Sequence, residues 1–360
     1  MNAVQVHVSK GALSDAVLAE LPLGPLAEGA VRLAIESFSV TANNVTYAIA
    51  GDRFKYWDFF PAPDGMGIVP MWGHARVIES RAPEIAVGER VFGYLPMASY
   101  LDVIPGRVSP GRFMDTAAHR QPMSPVYNGY TRLAADPEHD PAREAERMIF
   151  GLLFRTGFLI EYFLREADWF GAEQLVVTSA SSKTAMGLAS VARQSSPGIK
   201  RIGLTSKGNI DFVAATGLYD EVLAYDTVDR LAVVRTVSVD FAGNAEVLTQ
   251  IHRHFEDALA HSALVGATHI AARSKLGRDG PLPGRKPAMF FAPDYAVAFH
   301  KTHGPVEGGK LVAAAWHTFL KAADGTVAIE RHKGLAAARD FFTAMVAGQI
   351  DPAKGIVIEP

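Results

Sequence analysis

The sequence predicts an α/β protein of two domains, one β-rich and barrel-like, the other built on a doubly wound parallel sheet. Three observations predict it. Up to about residue 110 the chain is rich in Gly and Pro and poor in helical periodicity. From Gln174 onward, short apolar strands alternate with amphipathic helices, the pattern of a parallel sheet covered on both faces. At 360 residues the chain is also too long for one comfortable hydrophobic core.

In order, Met1–Lys10 alternates Val4, Val6 and Val8 with polar residues and predicts a strand. Val31–Ile35, Ala75–Ile78, Arg90–Tyr94 and Tyr100–Ile104 are short strands separated by turn residues. Residues 105–146 scatter Pro, Gly, Arg and Asp, and make an irregular excursion into a helix over Ala142–Leu164. Strand Gln174–Thr178 is followed by helix Lys183–Gln194, with Ala185, Leu188, Ala189 and Ala192 on one face. Strand Arg201–Thr205, helix Ile210–Thr216 and strand Glu221–Tyr225 come next. Strand Thr236–Asp240 precedes a helix striped by Leu248, Ile251, Phe255 and Leu259, and strand Ala263–Ala267 closes the series. Beyond Phe290 the helical stretches are Lys310–Ala322 and Leu335–Ala347, with strands at Thr326–Glu330 and Gly355–Glu359.

Composition excludes several classes. Lys and Arg number 35 against 38 Asp and Glu, so no electrostatic footprint for nucleic acid exists, and no block of like charge suggests an interaction tail. Without any Cys there can be no disulfide, thiolate chemistry, iron–sulfur cluster or sulfur-ligated zinc. The N-terminus lacks the basic and apolar regions of a signal peptide, and no apolar run approaches the roughly 20 residues that span a bilayer. A cytoplasmic protein without a membrane partner is expected.

The segment from Val176 to Gly187 carries the first functional hypothesis. It joins a buried strand to a helix, where doubly wound folds place a dinucleotide diphosphate. Unpaired N–H groups and the positive dipole end of a helix stabilise an anion there. After Ser179, also a cofactor-binding candidate, Ala180, Ser181, Ser182 and Ala185 are small enough for close backbone approach, while Lys183 adds charge and Ser182 and Thr184 add hydroxyls. The glycines of the usual G-x-G-x-x-G are mostly missing, so the substitution works only if no position needs positive φ. The alternative is an ordinary strand-to-helix turn with a Ser N-cap. At the end of the second strand, Ser206, Lys207 and Asn209 stand where an acidic residue would select NAD. Donors and charge suit a 2′-phosphate instead, which favours NADP(H); a solvated Lys in a turn is the other reading.

With these turns in order, the chain resembles the medium-chain dehydrogenase/reductase superfamily, in its zinc-free quinone-oxidoreductase-like branch. The resemblance is carried by the stretch Thr41 to Tyr47 with Gly51, by Trp72 to Glu79, by Val87 to Gly93, by Ala185 and Gly187, and by Lys354 to Ile358. It implies a GroES-like β-barrel domain, residues 1–145 and 320–360, and an inserted Rossmann domain, residues 146–319. It also implies homodimers, and Ala185 and Gly187 at the packing of the nucleotide-binding helix on the sheet. Zinc-dependent members use a Cys and a Gly-His-Glu element; here Gly73-His74 is followed by Ala75 and Cys is absent, so no metal is expected. His74 is then a hydrogen-bonded barrel residue.

Hydride transfer without a metal needs a proton donor opposite the nicotinamide. Tyr47 is the candidate, in a segment that resembles the family's substrate-side loop, with Asn43 and Asn44 to orient a carbonyl or the nicotinamide amide. Equally, these are turn asparagines and a core tyrosine. The aromatic run around Tyr56 and Trp57, with Tyr127, could wall a pocket for a small apolar substrate, or simply pack. Gly243, Asn244, Gly266, Thr268 and His269 follow later strands, where ligands bind in open α/β sheets; Asn244 could instead be a helix N-cap. The function expected is NADPH-dependent reduction of an enone, enoyl thioester or quinone. A fold-retaining binding or structural protein, and a zinc-free alcohol dehydrogenase, are the alternatives.

Overall fold

A computed structural model describes residues 2–265 and 282–360. Two units divide the chain, residues 1–149 with 328–360, and residues 150–327. The expected Gly266, Thr268 and His269 lie outside the described residues.

The first unit begins with β1 (Asn2–Ser9), β2 (Ala16–Pro22), β3 (Val31–Val40), α1 (Ala42–Ile49), β4 (Met66–Gly67) and β5 (Pro70–Ser80). It continues through β6 (Arg90–Pro96), β7 (Tyr100–Val103), β8 (Pro105–Gly106), β9 (Arg112–Asp115) and β10 (Gly129–Arg132) into α2 (Glu144–Glu166). The second unit holds β11 (Gln174–Thr178), α3 (Lys183–Ser195), β12 (Lys200–Thr205), α4 (Ile210–Ala215), β13 (Glu221–Ala224) and β14 (Thr236–Asp240). After α5 (Ala245–Phe255) come β15 (Leu259–Val265), β16 (Ala288–Phe290) and α6 (Ala292–Ala322). The chain then returns to the first unit as β17 (Ala328–Lys333), α7 (Leu335–Val346) and β18 (Lys354–Glu359).

Sheet topology follows the two sequence textures. The first unit has a small sheet, β2-β1-β4, and a nine-stranded one in the order β17-β18-β3-β5-β6-β10-β9-β8, with β7 also on β3. Its pairings are antiparallel except β17 with β18. The last strand pairs with β3, Ile356 opposite Val40. The second unit is a parallel sheet, β13-β12-β11-β14-β15-β16. Its central strands β11 and β14 are buried along their whole length, as expected of strands covered on both faces. Val176, Ile202, Leu204, Val247, Ile251, Phe255 and Leu259 form a core there.

Several expectations are corrected. The segment around Tyr47 that resembles a substrate-side loop is mostly helix: the Thr41 N–H donates to Asn44 Oδ1 at 2.6 Å, which caps α1. Leu259 does not extend the stripe of α5, because Glu256 takes a left-handed φ of 44° that ends the helix, and Leu259 opens β15. α6 starts 18 residues before Lys310 and is broken inside by Gly304, φ 71°, and Pro305. Gly187 faces α2 rather than the sheet; an added Cβ would sit 2.9 Å from Phe154 Cα. Opposite, a Cβ on Gly157 would sit 2.4 Å from the Leu188 nitrogen, so α2 and α3 cross backbone to backbone.

The excursion after β7 is less irregular than the sequence suggests. Arg120, 1% exposed, organises it: Nη1 donates to Asp115 Oδ2 at 2.8 Å and to Tyr130 Oη at 2.9 Å. Its Nη2 donates to Tyr127 O at 2.8 Å, and Nε to Asn128 Oδ1 at 3.1 Å. The buried cation is thereby paired and hydrogen-bonded on each side.

Candidate functional site

In the second unit the chain moves from β11 outward through β12 and β13, then returns to the other side of β11 as β14. The carboxyl ends of β11 and β14 therefore flank a topological switch point, the place where open α/β sheets bind ligands. Their terminal residues, Thr178 and Asp240, are fully buried, and the Thr178 hydroxyl donates to the Asp240 carboxylate. Thr178 Oγ1 also accepts from the N–H groups of Phe241 at 3.0 Å and Ala242 at 3.1 Å. This joint locks the two loops together. Sequence reading missed both residues as a pair, because strand ends 62 positions apart carry no local signal of contact.

The turn into α3 has the predicted location and a different internal construction. Ser179 adopts φ 51°, so the condition that no position need positive φ does not hold. A left-handed Ser costs about 1–2 kcal/mol, offset here by its contacts. Its N–H donates to Tyr225 Oη at 3.0 Å, and its carbonyl accepts from Ser182 N at 2.8 Å. Ala180 lies wholly beneath the turn, its N–H on Leu204 O at 3.0 Å and its carbonyl accepting from Tyr219 Oη at 3.0 Å. Ser182 is the N-cap, its Oγ accepting from Ala185 N at 3.3 Å. Lys183 and Thr184 open the first turn of α3, and Ser181, just before the cap, has its Oγ accepting from Asn209 Nδ2 at 3.3 Å. The structure thus joins the β11 and β12 turns.

Past β12, Ser206 and Lys207 are exposed, and Lys207 Nζ lies 2.7 Å from Asp226 Oδ2. The β12 turn itself carries no acid; Asp226 lies two residues beyond the end of β13. Tyr225 was within reach of sequence reasoning, since it ends the strand expected over Glu221–Tyr225, and Asp226 is the next residue. Gly243 is left-handed, φ 65°, and Asn244 caps α5, its Oδ1 accepting from Glu246 N at 2.9 Å and Val247 N at 3.4 Å.

In the first unit, Tyr47 is buried in an aromatic cluster. Its ring centroid lies 4.6 Å from Tyr56, 5.4 Å from Tyr94 and 6.1 Å from Tyr127. Trp72 Nε1 donates to Tyr47 Oη at 3.1 Å. Burial drives the Tyr47 pKa far up, so the phenol stays protonated; hydrogen bonds from Trp72 and Asn43 oppose that shift without reversing it. Asn43 sits one helical turn before Tyr47, which brings its amide to that hydroxyl. Asn44 is different: Oδ1 accepts from Thr41, and Nδ2 donates to Pro70 O at 2.8 Å, so its buried amide holds α1 to β5. Tyr56 and Tyr127 share a hydroxyl–hydroxyl bond of 3.1 Å. Trp57 is a packing residue, clamped between glycines: a Cβ on Gly51 would fall 2.0 Å from its indole, and one on Gly67 2.2 Å.

His74 is fully buried on β5, and neither ring nitrogen has a hydrogen-bond partner among the described residues, contrary to the expected hydrogen-bonded residue. Burial, reinforced by the nearby cations of Arg147 and Arg90 against the pull of Glu144, lowers its pKa to about 3. Glu144 is ionised: burial opposes its charge, but hydrogen bonds from Arg90 and His139 hold it at about 2. An unfolded His74 binds a proton below about pH 6.5, whereas the folded one does not. Stability is therefore lost as pH falls below that value, by about 1.4 kcal/mol per unit from this residue. Urea unfolding from pH 7 to 4.5 should show a shallower pH dependence for His74→Leu than for wild type; equal slopes would remove His74 as the source. Among the described residues no group of three or more His, Asp or Glu is placed to hold a metal ion. None of the described helices is long and apolar enough to cross a membrane.

A family model described as "protein of unknown function (DUF2855)" matches residues 38–351. The chain belongs to that family. The fold of this DUF2855 protein is that of the medium-chain dehydrogenases/reductases, a GroES-like domain joined to a Rossmann domain, as the sequence resemblance implied. It is similar to CurA from Vibrio vulnificus, at 15% identity over 99% of this chain and 98% of that one, TM-score 0.58. The quinone oxidoreductase from Coxiella burnetii is similar at 14% identity, with all of both chains covered and a TM-score of 0.56. The YhdH oxidoreductase from Salmonella enterica, solved in complex with NADP, matches at 14% identity over all of both chains, TM-score 0.56. No curated protein sequence matches the chain.

Proposed function

We propose that this protein is an NADP(H)-dependent oxidoreductase that works without zinc, passing hydride to a small activated C=C or carbonyl compound: an enone, enoyl thioester or quinone. The observation that carries the reading is the turn at residues 179–184, at the switch point of a parallel sheet and at the N-terminus of a 13-residue helix. The similar CurA and YhdH structures, with NADPH and NADP respectively, support the choice of coenzyme.

The residues present fit such a coenzyme. Ser181 and Thr184 carry small side chains on either side of the Ser182 cap where a diphosphate would sit, with Lys183 adding charge and Ser206, Lys207 and Asn209 at the adenosine end. When bound, the nicotinamide supplies or accepts the hydride. Tyr47 holds the proton for the substrate. An indole N–H can only donate, so Tyr47 Oη accepts from Trp72 and keeps its own hydrogen to give. As that proton leaves, the Trp72 and Asn43 hydrogen bonds stabilise the charge developing on Oη. Asn44 and Trp57 hold the local fold and have no part in the chemistry.

Titration of the purified protein with NADPH and NADH, followed by fluorescence or calorimetry, tests the reading. Micromolar binding of NADPH with turnover of an enone, enoyl thioester or quinone is expected. No binding of either nucleotide at millimolar concentration overturns it. Binding without turnover on any of the three classes would move the protein to a coenzyme-binding role without catalysis.

A further inference from the structure

We infer that Asp226 is a coenzyme-selectivity residue, whose carboxylate pairs with Lys207 and opposes the 2′-phosphate of NADP(H). The inference rests on the coenzyme reading above and adds to it a residue that works against the phosphate.

Strands β12 and β13 are adjacent and parallel, with Thr205 opposite Ala224, so their carboxyl ends lie side by side. The chain leaving β12 presents Ser206 and Lys207; the chain leaving β13 presents Tyr225 and Asp226. Lys207 Nζ and Asp226 Oδ2 are 2.7 Å apart, and the side chains are 76% and 57% exposed. Tyr225 reaches the other way, its Oη accepting the Ser179 N–H at 3.0 Å. Two consecutive residues therefore engage an amide of the phosphate-binding turn and the ammonium at its adenosine end. Asn209 donates to Ser181 at 3.3 Å, which keeps the two turns in register.

An ion pair this exposed is weak, so Lys207 exchanges partners readily and its release costs only a few-fold in affinity. Charge repulsion is the larger effect. A 2′-phosphate seated on Lys207 brings up to two negative charges near the Asp226 carboxylate, and in a hydrated setting a few ångströms apart this weakens binding by about tenfold. A plain ribose 2′-hydroxyl carries no such charge and can donate to the same carboxylate. Asp226 thus narrows the preference that Lys207 creates.

The test is the dissociation constants of NADPH and NADH for wild type, Asp226→Asn and Lys207→Met, at low and high salt. Asp226→Asn is expected to bind NADPH about tenfold more tightly and NADH within about twofold of wild type. The gain should shrink at high salt, where exposed charges are screened. Lys207→Met is expected to weaken NADPH and leave NADH nearly unchanged. An unchanged NADPH to NADH ratio in Asp226→Asn, or weaker NADPH binding, overturns the inference while leaving the coenzyme reading intact. If wild type binds neither nucleotide, the coenzyme reading fails and the inference, which rests on it, fails with it.

Discussion

Replacing Tyr47 by Phe is expected to lower kcat by about 10²- to 10³-fold with KM little changed, the range removed with a general acid. The substitution keeps the ring contacts to Tyr56, Tyr94 and Tyr127 and deletes only the oxygen that accepts from Trp72. Trp72 is half-buried, so its freed N–H has access to water, and the fold should survive with a loss of about 1 kcal/mol. Steady-state assay on enones, enoyl thioesters and quinones decides the point. Turnover within twofold of wild type on a substrate the enzyme reduces would remove Tyr47 as the donor. A proton source elsewhere, or water, would then be required.

The largest effect on stability is expected at Arg120. Arg120→Met should cost about 3–5 kcal/mol, because it leaves the Asp115 carboxylate buried without its cation. Asp115 is 2% exposed, and Tyr130 Oη and Asn128 Oδ1 lose their donor at the same time. The double variant Arg120→Met with Asp115→Asn should recover part of that loss, since no buried charge remains. Denaturant unfolding of the four proteins gives the coupling. Additive losses would mean that the pair is less isolated from water than its burial indicates. The Tyr127 and Tyr130 rings rest on this network, so near-ultraviolet circular dichroism should change with it.

How far the sequence reached differed between the two units. In the second, strands Gln174–Thr178 and Thr236–Asp240 fall where periodicity put them, and α3 begins at Lys183 as predicted. Alternation of apolar runs with amphipathic stripes is a local property, and each element satisfies its own backbone hydrogen bonds along the pattern. The candidate turn was located for the same reason. Its details were not. A Ser at φ 51° is disfavoured by local sterics, and Tyr225, which receives its N–H, is 46 positions away. Asn44 looked like a free amide for substrate until α1 formed around it, and Asn244 resolved into a cap by the same local rule.

Sequence alone determined the alternation of strands and helices from β11 to β15, the absence of thiol chemistry, and the position of the turn that opens α3, because each follows from residue type and spacing over a few neighbours. Tertiary structure decided what those parts meet: Asp226 against Lys207, Trp72 against Tyr47, Arg120 against Asp115, and a His74 ring without a hydrogen-bond partner among the described residues. Tyr47 and Trp72 are 25 positions apart and Lys207 and Asp226 lie on different turns, while Arg120 and Asp115, five apart, meet only where the segment folds back on Tyr127 and Tyr130. Their energies come from burial and charge at a particular place in space, which no local period encodes.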